Sequence, residues 1–306
     1  MGINTAITVE NLRKTYGSLT AVNNLSFSVQ KEEIFGIVGP NGAGKTTTIE
    51  CLEGLKHPDQ GHIRVLGFAP QKDRRALNER IGVQLQESSI AAQIKVWEAL
   101  DLYTSFYSNP VDYEELIDKL SLSPVRNVYY SKLSGGQKQR LFIALSLINN
   151  PDVVFFDELT TGLDPQARRH IWDLVRQVNE QGKTVVLTTH FMEEAERLCD
   201  RVMIMDHGQI IALDSPEKLI QSLDAEHKVM FSVKGNIEKE WFANLPTVEN
   251  ISIIRDKMTV SGKNERLLAD VVNLLTAKGI RYYDLHTQQP NLEDVFIALT
   301  GKEIRN

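Results

Sequence analysis

Cysteine is nearly absent. Only Cys51 and Cys199 occur in 306 residues. They are isolated and lack metal-ligand spacing, which excludes a disulfide scaffold and points to packed thiols in a reducing, cytosolic setting. Long apolar runs are also missing. No stretch approaches the ~18–20 residues that span a bilayer, and Val153–Phe156 and Thr184–Thr188 have only the length of buried strands. Met1–Ala6 lacks a signal-peptide pattern. Ala6 stands where myristoylation needs Ser or Thr. Any membrane role is therefore expected to come through a partner. A basic excess is lacking as well: the net charge of −6 argues against a general nucleic-acid binder. There is no internal repeat and no low-complexity segment. What remains, 42% hydrophobic and 24% charged, is the composition of a globular chain long enough for one large domain or two ordinary ones.

Against these absences stands one dense motif, Gly39-Pro40-Asn41-Gly42-Ala43-Gly44-Lys45-Thr46-Thr47. It reads as G-x-x-x-x-G-K-T, a loop that cradles nucleotide phosphates. Glycines let the backbone turn tightly and aim several N–H groups at one anion. Lys45 adds a positive charge at the β- and γ-phosphates, and the Thr46 hydroxyl can ligate Mg²⁺. The apolar run Ile34–Val38 before it predicts a strand, and a helix over about Gly44–Leu55 would point its positive end at the same anion. A bland turn has no use for Lys and Thr at those places. The loop alone says only nucleoside triphosphate.

The rest of the chain divides by rhythm. Ile7–Val29 reads as β-rich, with strands following at Ile63–Leu66 and Ile81–Leu85. Val96–Ile148 turns helical; Trp97, Leu100, Tyr103 and Tyr107 recur at three- and four-residue spacing and are expected to be helix core. Strands Val153–Asp157, Thr184–Thr189 and Val202–Met205 alternate with helices near Pro165–Gln181 and Phe191–Leu198. That is βαβ order and predicts a parallel sheet. After Leu223 the order becomes β-α-β-β-α-β, which suggests a small ferredoxin-like unit followed by a helix from Leu292 to Leu299. The expected fold is thus α/β over 1–223, built around the phosphate loop, plus a small ferredoxin-like α+β domain over 227–306.

A second motif separates the possible classes. Leu133-Ser134-Gly135-Gly136-Gln137 contains a capping box, with Ser134 and Gln137 opening a helix. The two glycines have no place in that reading, since each costs a helix up to about 1 kcal/mol against Ala. They make sense if a phosphate comes close to bare backbone at a helix N-terminus. The chain already has its own phosphate loop, so the second implies a second nucleotide or one held by another copy, and the lack of a second G-x-x-x-x-G-K-T favours the other copy.

Together these residues resemble the ATP-binding subunits of ABC transporters, over roughly Ile7–Leu223. Gly39–Thr47 resembles their Walker A loop and Leu133–Gln137 their signature motif. Val153–Glu158 resembles Walker B with its catalytic glutamate, Thr161–Asp164 the D-loop, and Thr189-His190 the switch histidine. Gln86 fits the Q-loop and Tyr16 the adenine-stacking aromatic. Pro290–Phe296 and Leu299–Gly301 resemble the tail of drug- or antibiotic-exporter-type subunits.

The resemblance implies a P-loop ABC ATPase domain over 1–223, with a mixed sheet and a helical subdomain, and ATP and Mg²⁺ as ligands. Lys45, Glu158, His190 and Gln86 would carry catalysis. Asp157 with Thr46 and Gln86 would hold Mg²⁺. Tyr16, Val22, Gly39, Asn41, Gly42, Ala43, Gly44, Thr46 and Thr47 would bind nucleotide. Ser134, Gly135, Gly136, Gln137 and Asp164 would meet the nucleotide of a second copy. It implies a homodimer closed by ATP, coupled to an integral-membrane permease at the cytoplasmic face of the membrane, with no nucleic acid expected. A soluble relative acting on nucleic acid or ribosomes is the competing reading. Such relatives carry two cassettes or a long coiled coil, and this chain has neither. A small-molecule kinase conflicts with the signature motif. One departure is Leu159, where the family usually has Pro.

Overall fold

The structure, a computed structural model, describes residues 4–84, 90–223, 227–233, 238–264 and 266–301. Gln86 lies outside the described residues. A long hairpin starts the chain: β1 (Thr5–Tyr16) and β2 (Leu19–Gln30) pair antiparallel, and β4 (Gln60–Val65) joins the other edge of β1. Between them in sequence come β3 (Ile34–Val38) and α1 (Lys45–Leu52).

β3 belongs to a second sheet with β5 (Ile81–Gln84), β6 (Val153–Asp157), β7 (Thr184–Thr189), β8 (Arg201–Asp206) and β9 (Gln209–Asp214). Its order is β5-β6-β7-β3-β8-β9, parallel throughout except for the β8–β9 pair. β3, β6 and β7 are buried along their whole length. That explains why they read as continuous apolar runs rather than alternating ones: a parallel sheet is covered on both faces.

Register matters here. Val38 pairs with Thr189, and Asp157 with Thr188. The C-terminal ends of β3, β7 and β6 are therefore level. Gly39, His190 and Glu158, the residues that follow them, emerge along one edge, where ligands of open α/β sheets bind.

Helices α2 (Arg74–Asn78), α3 (Val96–Thr104), α4 (Tyr113–Lys119), α5 (Gly135–Leu147), α6 (Pro165–Glu180) and α7 (Met192–Leu198) complete this part, and α8 (Pro216–Gln221) follows at the boundary to the next. α6 buries Ile171, Trp172, Leu174, Val175 and Val178, the helical spacing of one apolar face. The aromatic stripe is a correction. α3 ends at Thr104, so Tyr107 lies beyond it, and its buried face is Val96, Ala99 and Leu100. Trp97 and Tyr103 are only half-buried, because a one-residue offset around the helix puts them on its flank.

By its internal contacts the chain forms two compact units, Met1–Pro216 and Glu217–Gly301. The second unit runs β10 (His227–Val233), α9 (Lys239–Ala243), β11 (Asn250–Ile254), β12 (Lys257–Gly262), α10 (Leu267–Ala277) and β13 (Tyr282–Gln288), then α11 (Leu292–Thr300). Its antiparallel sheet has the order β11-β12-β10-β13, that of a split β-α-β unit. Val229, Phe231 and Val260 from the strands meet Phe242, Leu267, Val271 and Leu275 from the helices in its core.

Candidate active site

The loop after β3 is shaped by what surrounds it. Gly44 has φ +100°, and a Cβ there would sit 2.3 Å from the Ala21 carbonyl oxygen. Only glycine fits. The loop is also tied from behind: the Gly208 N–H donates to Ala43 O at 3.0 Å, and the Asn23 N–H to Gly208 O at 2.8 Å. Sequence reading passed over Ala21 and gave no part in this loop to Gly208. Asn41 and Gly42 are exposed, while Thr46 and Thr47 are half-buried at the start of α1. Tyr16 is 42% exposed at the end of β1, with the Lys14 ammonium 5.5 Å from its ring centre. Val22 is a correction of another kind. It is wholly buried in the core and offers no surface to a ligand, because it lies on the inward face of β2.

Lys45 is 4% exposed. Its Nζ donates to Gly39 O at 2.9 Å and Pro40 O at 3.2 Å and pairs with Glu158 Oε1 at 3.5 Å. Burial lowers the Lys45 pKa from its usual value, and Glu158 opposes that shift. Glu158 also approaches His190, Oε2 to Nδ1, at 3.5 Å. One carboxylate thus bridges the lysine after β3 and the histidine after β7. Glu158 takes φ +49°, a left-handed conformation rare for glutamate and worth of order 1–3 kcal/mol in strain. Its N–H, donating to Thr188 Oγ1 at 3.1 Å, helps hold it there.

Asp157, 2% exposed, accepts a hydrogen bond from the Thr188 hydroxyl, and Thr46 is near enough to act on its carboxyl. Burial raises its carboxyl above the usual range and the adjacent Glu158 adds to that, while the two hydroxyls and Lys45 act the other way. A buried carboxyl beside a threonine hydroxyl is a set of hard oxygen donors short of positive charge, which fits Mg²⁺. Thr188 was missed from sequence; a threonine inside an otherwise aliphatic buried strand was its signal. Leu159 is a core residue, 4% exposed, so the place where the family usually has proline is filled by packing.

His190 is braced from α6. Its ring lies against Phe191, centroids 4.1 Å apart, and the Arg168 guanidinium sits 4.0 Å from the Phe191 ring centre. Behind them, buried Glu194 of α7 accepts from Thr160 Oγ1 and Trp172 Nε1, each at 2.8 Å.

The second motif is built as a helix start. Ser134 caps α5, with its N–H donating to Gln137 Oε1 at 2.8 Å. Asp164 caps α6, accepting from the N–H groups of Gln166 and Ala167 at 2.9 Å each, with Pro165 at the first position. Both motifs line a cavity of about 600 Å³ that none of Lys45, Asp157, Glu158 or His190 lines. A Cβ on Gly135 or Gly136 would meet only Leu163 or Ala167, at 3.5 Å. The fold of this chain does not require either glycine.

Comparison with known proteins follows the same lines. Residues 22–161 match the family described as ABC transporter. The whole chain is 37% identical to the Nod factor export ATP-binding protein I of Ralstonia nicotianae, of which it covers 97%. It is 34% identical, over 97% of its length and 99% of the relative's, to the linearmycin resistance ATP-binding protein LnrL of Bacillus subtilis. Among solved structures, it is similar to a dimeric post-hydrolysis state of an ATP-binding cassette bound to ADP and Pi. The TM-score is 0.62 and the identity 27%, over 68% of this chain and 98% of that one. Cassettes of this kind bind ATP with Mg²⁺ and hydrolyse it. Identity of this extent along nearly the whole of both chains makes the protein a member of the ABC transporter family, one of its ATP-binding, ATP-hydrolysing proteins.

Proposed function

We propose that this protein is the ATPase subunit of an exporter, that two copies close around ATP, and that the closure drives a separate integral-membrane permease. One observation carries the mechanism: Glu158 bridges Lys45 and His190 at the level ends of three strands, while the glycine-led helix start that this fold does not itself need opens on a different cavity. Half of a site on each of two surfaces is what a closing dimer requires.

In this reading ATP phosphates enter the loop Gly39–Thr47 and take over Lys45 from Glu158. The lysine and the loop N–H groups then stabilise charge on the β,γ-bridge and γ-oxygens. Released from Lys45, Glu158 orients or deprotonates the attacking water, with His190 beside it. Thr46, Asp157 and Gln86 would hold Mg²⁺, which when bound neutralises phosphate charge. Tyr16 stacks on adenine from its exposed position. Ser134, Gly135, Gly136 and Gln137 receive the γ-phosphate held by the other copy, beside Asp164. Loss of that phosphate on hydrolysis lets the copies part. Residues 1–223 do this work; residues 227–306 stabilise the dimer or regulate turnover.

Export rests on the relatives named for Nod factor export and linearmycin resistance. No helix among the described residues is long and apolar enough to cross a membrane, so attachment at the cytoplasmic face falls to a partner. The test is affinity purification of tagged Glu158→Gln with ATP from detergent-solubilised membranes, with co-purifying chains identified by mass spectrometry. A multi-span membrane protein is the expected companion. Ribosomal or nucleic-acid-bound material without any membrane chain would overturn the transport reading in favour of a soluble ATPase.

A further inference from the structure

The hairpin that starts the chain ends where little holds it. Pairing of β4 with β1 stops at Arg13 and Gln60, so Lys14, Thr15 and Tyr16 pair with β2 alone. That pairing is irregular, with register shifts between Leu12 and Lys14 and again between Lys14 and Thr15. Tyr16 pairs with Leu19 across the turn, and the two are 42% and 65% exposed. A two-stranded ribbon without a buried face is marginal in water. On these contacts alone Tyr16 would sample many positions, and a base stacking on it would have to overcome the entropy of ordering them.

One carboxylate ties this end down. Asp59 immediately precedes β4, and its N–H donates to Arg13 O at 2.8 Å. Its Oδ2 accepts from the Thr15 N–H and the Thr15 hydroxyl, at 2.6 Å each. Its Oδ1 accepts from Lys14 Nζ at 2.9 Å, and that ammonium lies 5.5 Å from the Tyr16 ring centre. The carboxylate therefore grips the chain one residue before Tyr16 and reaches the ring through Lys14. The two arms differ in strength. The partly exposed pair with Lys14 contributes little alone. The bonds from Thr15 are short and go to a charged oxygen, which makes them roughly twice as strong as neutral ones. The phosphate loop does not depend on this clip. It has its own tie to β2, from the Asn23 N–H to Gly208 O and from the Gly208 N–H to Ala43 O.

We propose that Asp59 is a positioning residue for nucleotide binding, which fixes Tyr16 where the adenine ring stacks. The proposal rests on the reading of Tyr16 as the stacking aromatic and deepens it by naming what holds the ring in place. Asp59 itself touches no nucleotide in this scheme. Its effect is confined to ligands that carry a base, whereas a clip that served only the fold would affect every ligand of the domain alike.

That difference is the test. Displacement of a fluorescent ribose-labelled ATP from the full-length protein, with Mg²⁺, gives Kd for a non-hydrolysable ATP analogue and for inorganic tripolyphosphate. The variants are Tyr16→Leu, Asp59→Asn, Asp59→Ala, and Asp59→Ala combined with Tyr16→Leu. Tyr16→Leu should raise Kd for the analogue about tenfold or more, the size of a lost base–aromatic stack. Asp59→Ala should raise it about fivefold, and Asp59→Asn, which keeps an acceptor for Thr15 but not the charge, about two- to threefold. Tripolyphosphate, which has no base to stack, should bind within about twofold of the parent throughout. In the Tyr16→Leu background, Asp59→Ala should add less than about twofold, the mark of one residue acting through another. Unchanged analogue binding in both Asp59 variants, an equal loss for tripolyphosphate, or the same loss with and without Tyr16 would overturn the proposal. If Tyr16→Leu weakens the analogue and the Asp59 variants do not, stacking stands and Asp59 has no part in it. If Tyr16→Leu leaves analogue binding unchanged, the stacking reading fails and the proposal with it.

Discussion

Replacing Glu194 with Ala should uncouple His190 from α6 while leaving ATP binding intact. Glu194 is 3% exposed and joins three pieces of chain: Thr160 just beyond Glu158, Trp172 on α6, and α7, which starts two residues after His190. Hydrogen bonds to a charged group contribute about 1.5–3 kcal/mol each. The substitution removes two and strands the donors of Thr160 and Trp172, which are 1% and 5% exposed. Relief of the buried carboxylate's desolvation offsets part of that loss. A net destabilisation of about 2–4 kcal/mol is expected. Glu194→Gln keeps an acceptor oxygen in place, with neutral bonds roughly half as strong, and should cost about 1–2 kcal/mol. Urea unfolding followed by tryptophan emission reads both. In steady-state phosphate release, Glu194→Ala should lower kcat about tenfold or more by letting α7 and His190 wander. KM for ATP should change little, since Lys45 and its loop are untouched. A loss below about 1 kcal/mol, or an effect confined to KM, would refute the reasoning.

Three further outcomes follow from the same geometry. Gly136→Ala should leave the isolated chain as stable as the parent or up to about 1 kcal/mol more so, since Ala is the better helix former and its Cβ meets only Ala167 at 3.5 Å. ATP-induced dimerisation of that variant, read by light scattering, should nonetheless be lost; an intact dimer would mean that no phosphate approaches there. Glu158→Gln should reduce hydrolysis by about 100-fold or more while ATP still binds, so that size-exclusion chromatography with ATP gives an accumulating dimer; near-normal turnover would remove Glu158 from catalysis. Asp59 accepts from the Thr15 hydroxyl, the Thr15 N–H and Lys14, donors that pull its carboxyl from 3.8 down to about 2. Its contribution is full above the unfolded value and is lost as pH falls through the folded one. Urea midpoints of Asp59→Asn should therefore decline less steeply than the parent's as pH falls from 3.8 to about 2, and identical slopes would contradict the assignment.

Much of this protein was legible in order along the chain. Local signals suffice where a backbone conformation or a helix end must be specified: Gly44 before Lys45, the Ser134–Gln137 box, and Asp164-Pro165 each name their own structure. Runs such as Val153–Phe156 announce a strand covered on both faces. The aromatic stripe misled because helical spacing fixes only which residues share a side. Which side meets the core depends on the neighbours: Leu100 is buried as expected, but α3 turned Val96 and Ala99 inward with it rather than the aromatics. Val22 was misjudged for the same reason, being one pleat away from the surface.

By itself the sequence determined the chemistry available: a phosphate loop, a carboxylate pair after a buried strand, a histidine after another, and a glycine-led helix without a use inside its own chain. Only the tertiary structure decided what those groups do to one another. Strand order β6-β7-β3 and its register put Glu158 between Lys45 and His190, residues more than a hundred positions apart. Packing of α7 against α6 and the segment after β6 gave Glu194 its two donors, and the folding of the chain around the end of α1 left Glu53 buried with none. The physical reason is common to all three. Backbone preference acts over a few residues, whereas burial and pairing belong to surfaces that exist only once distant segments have met.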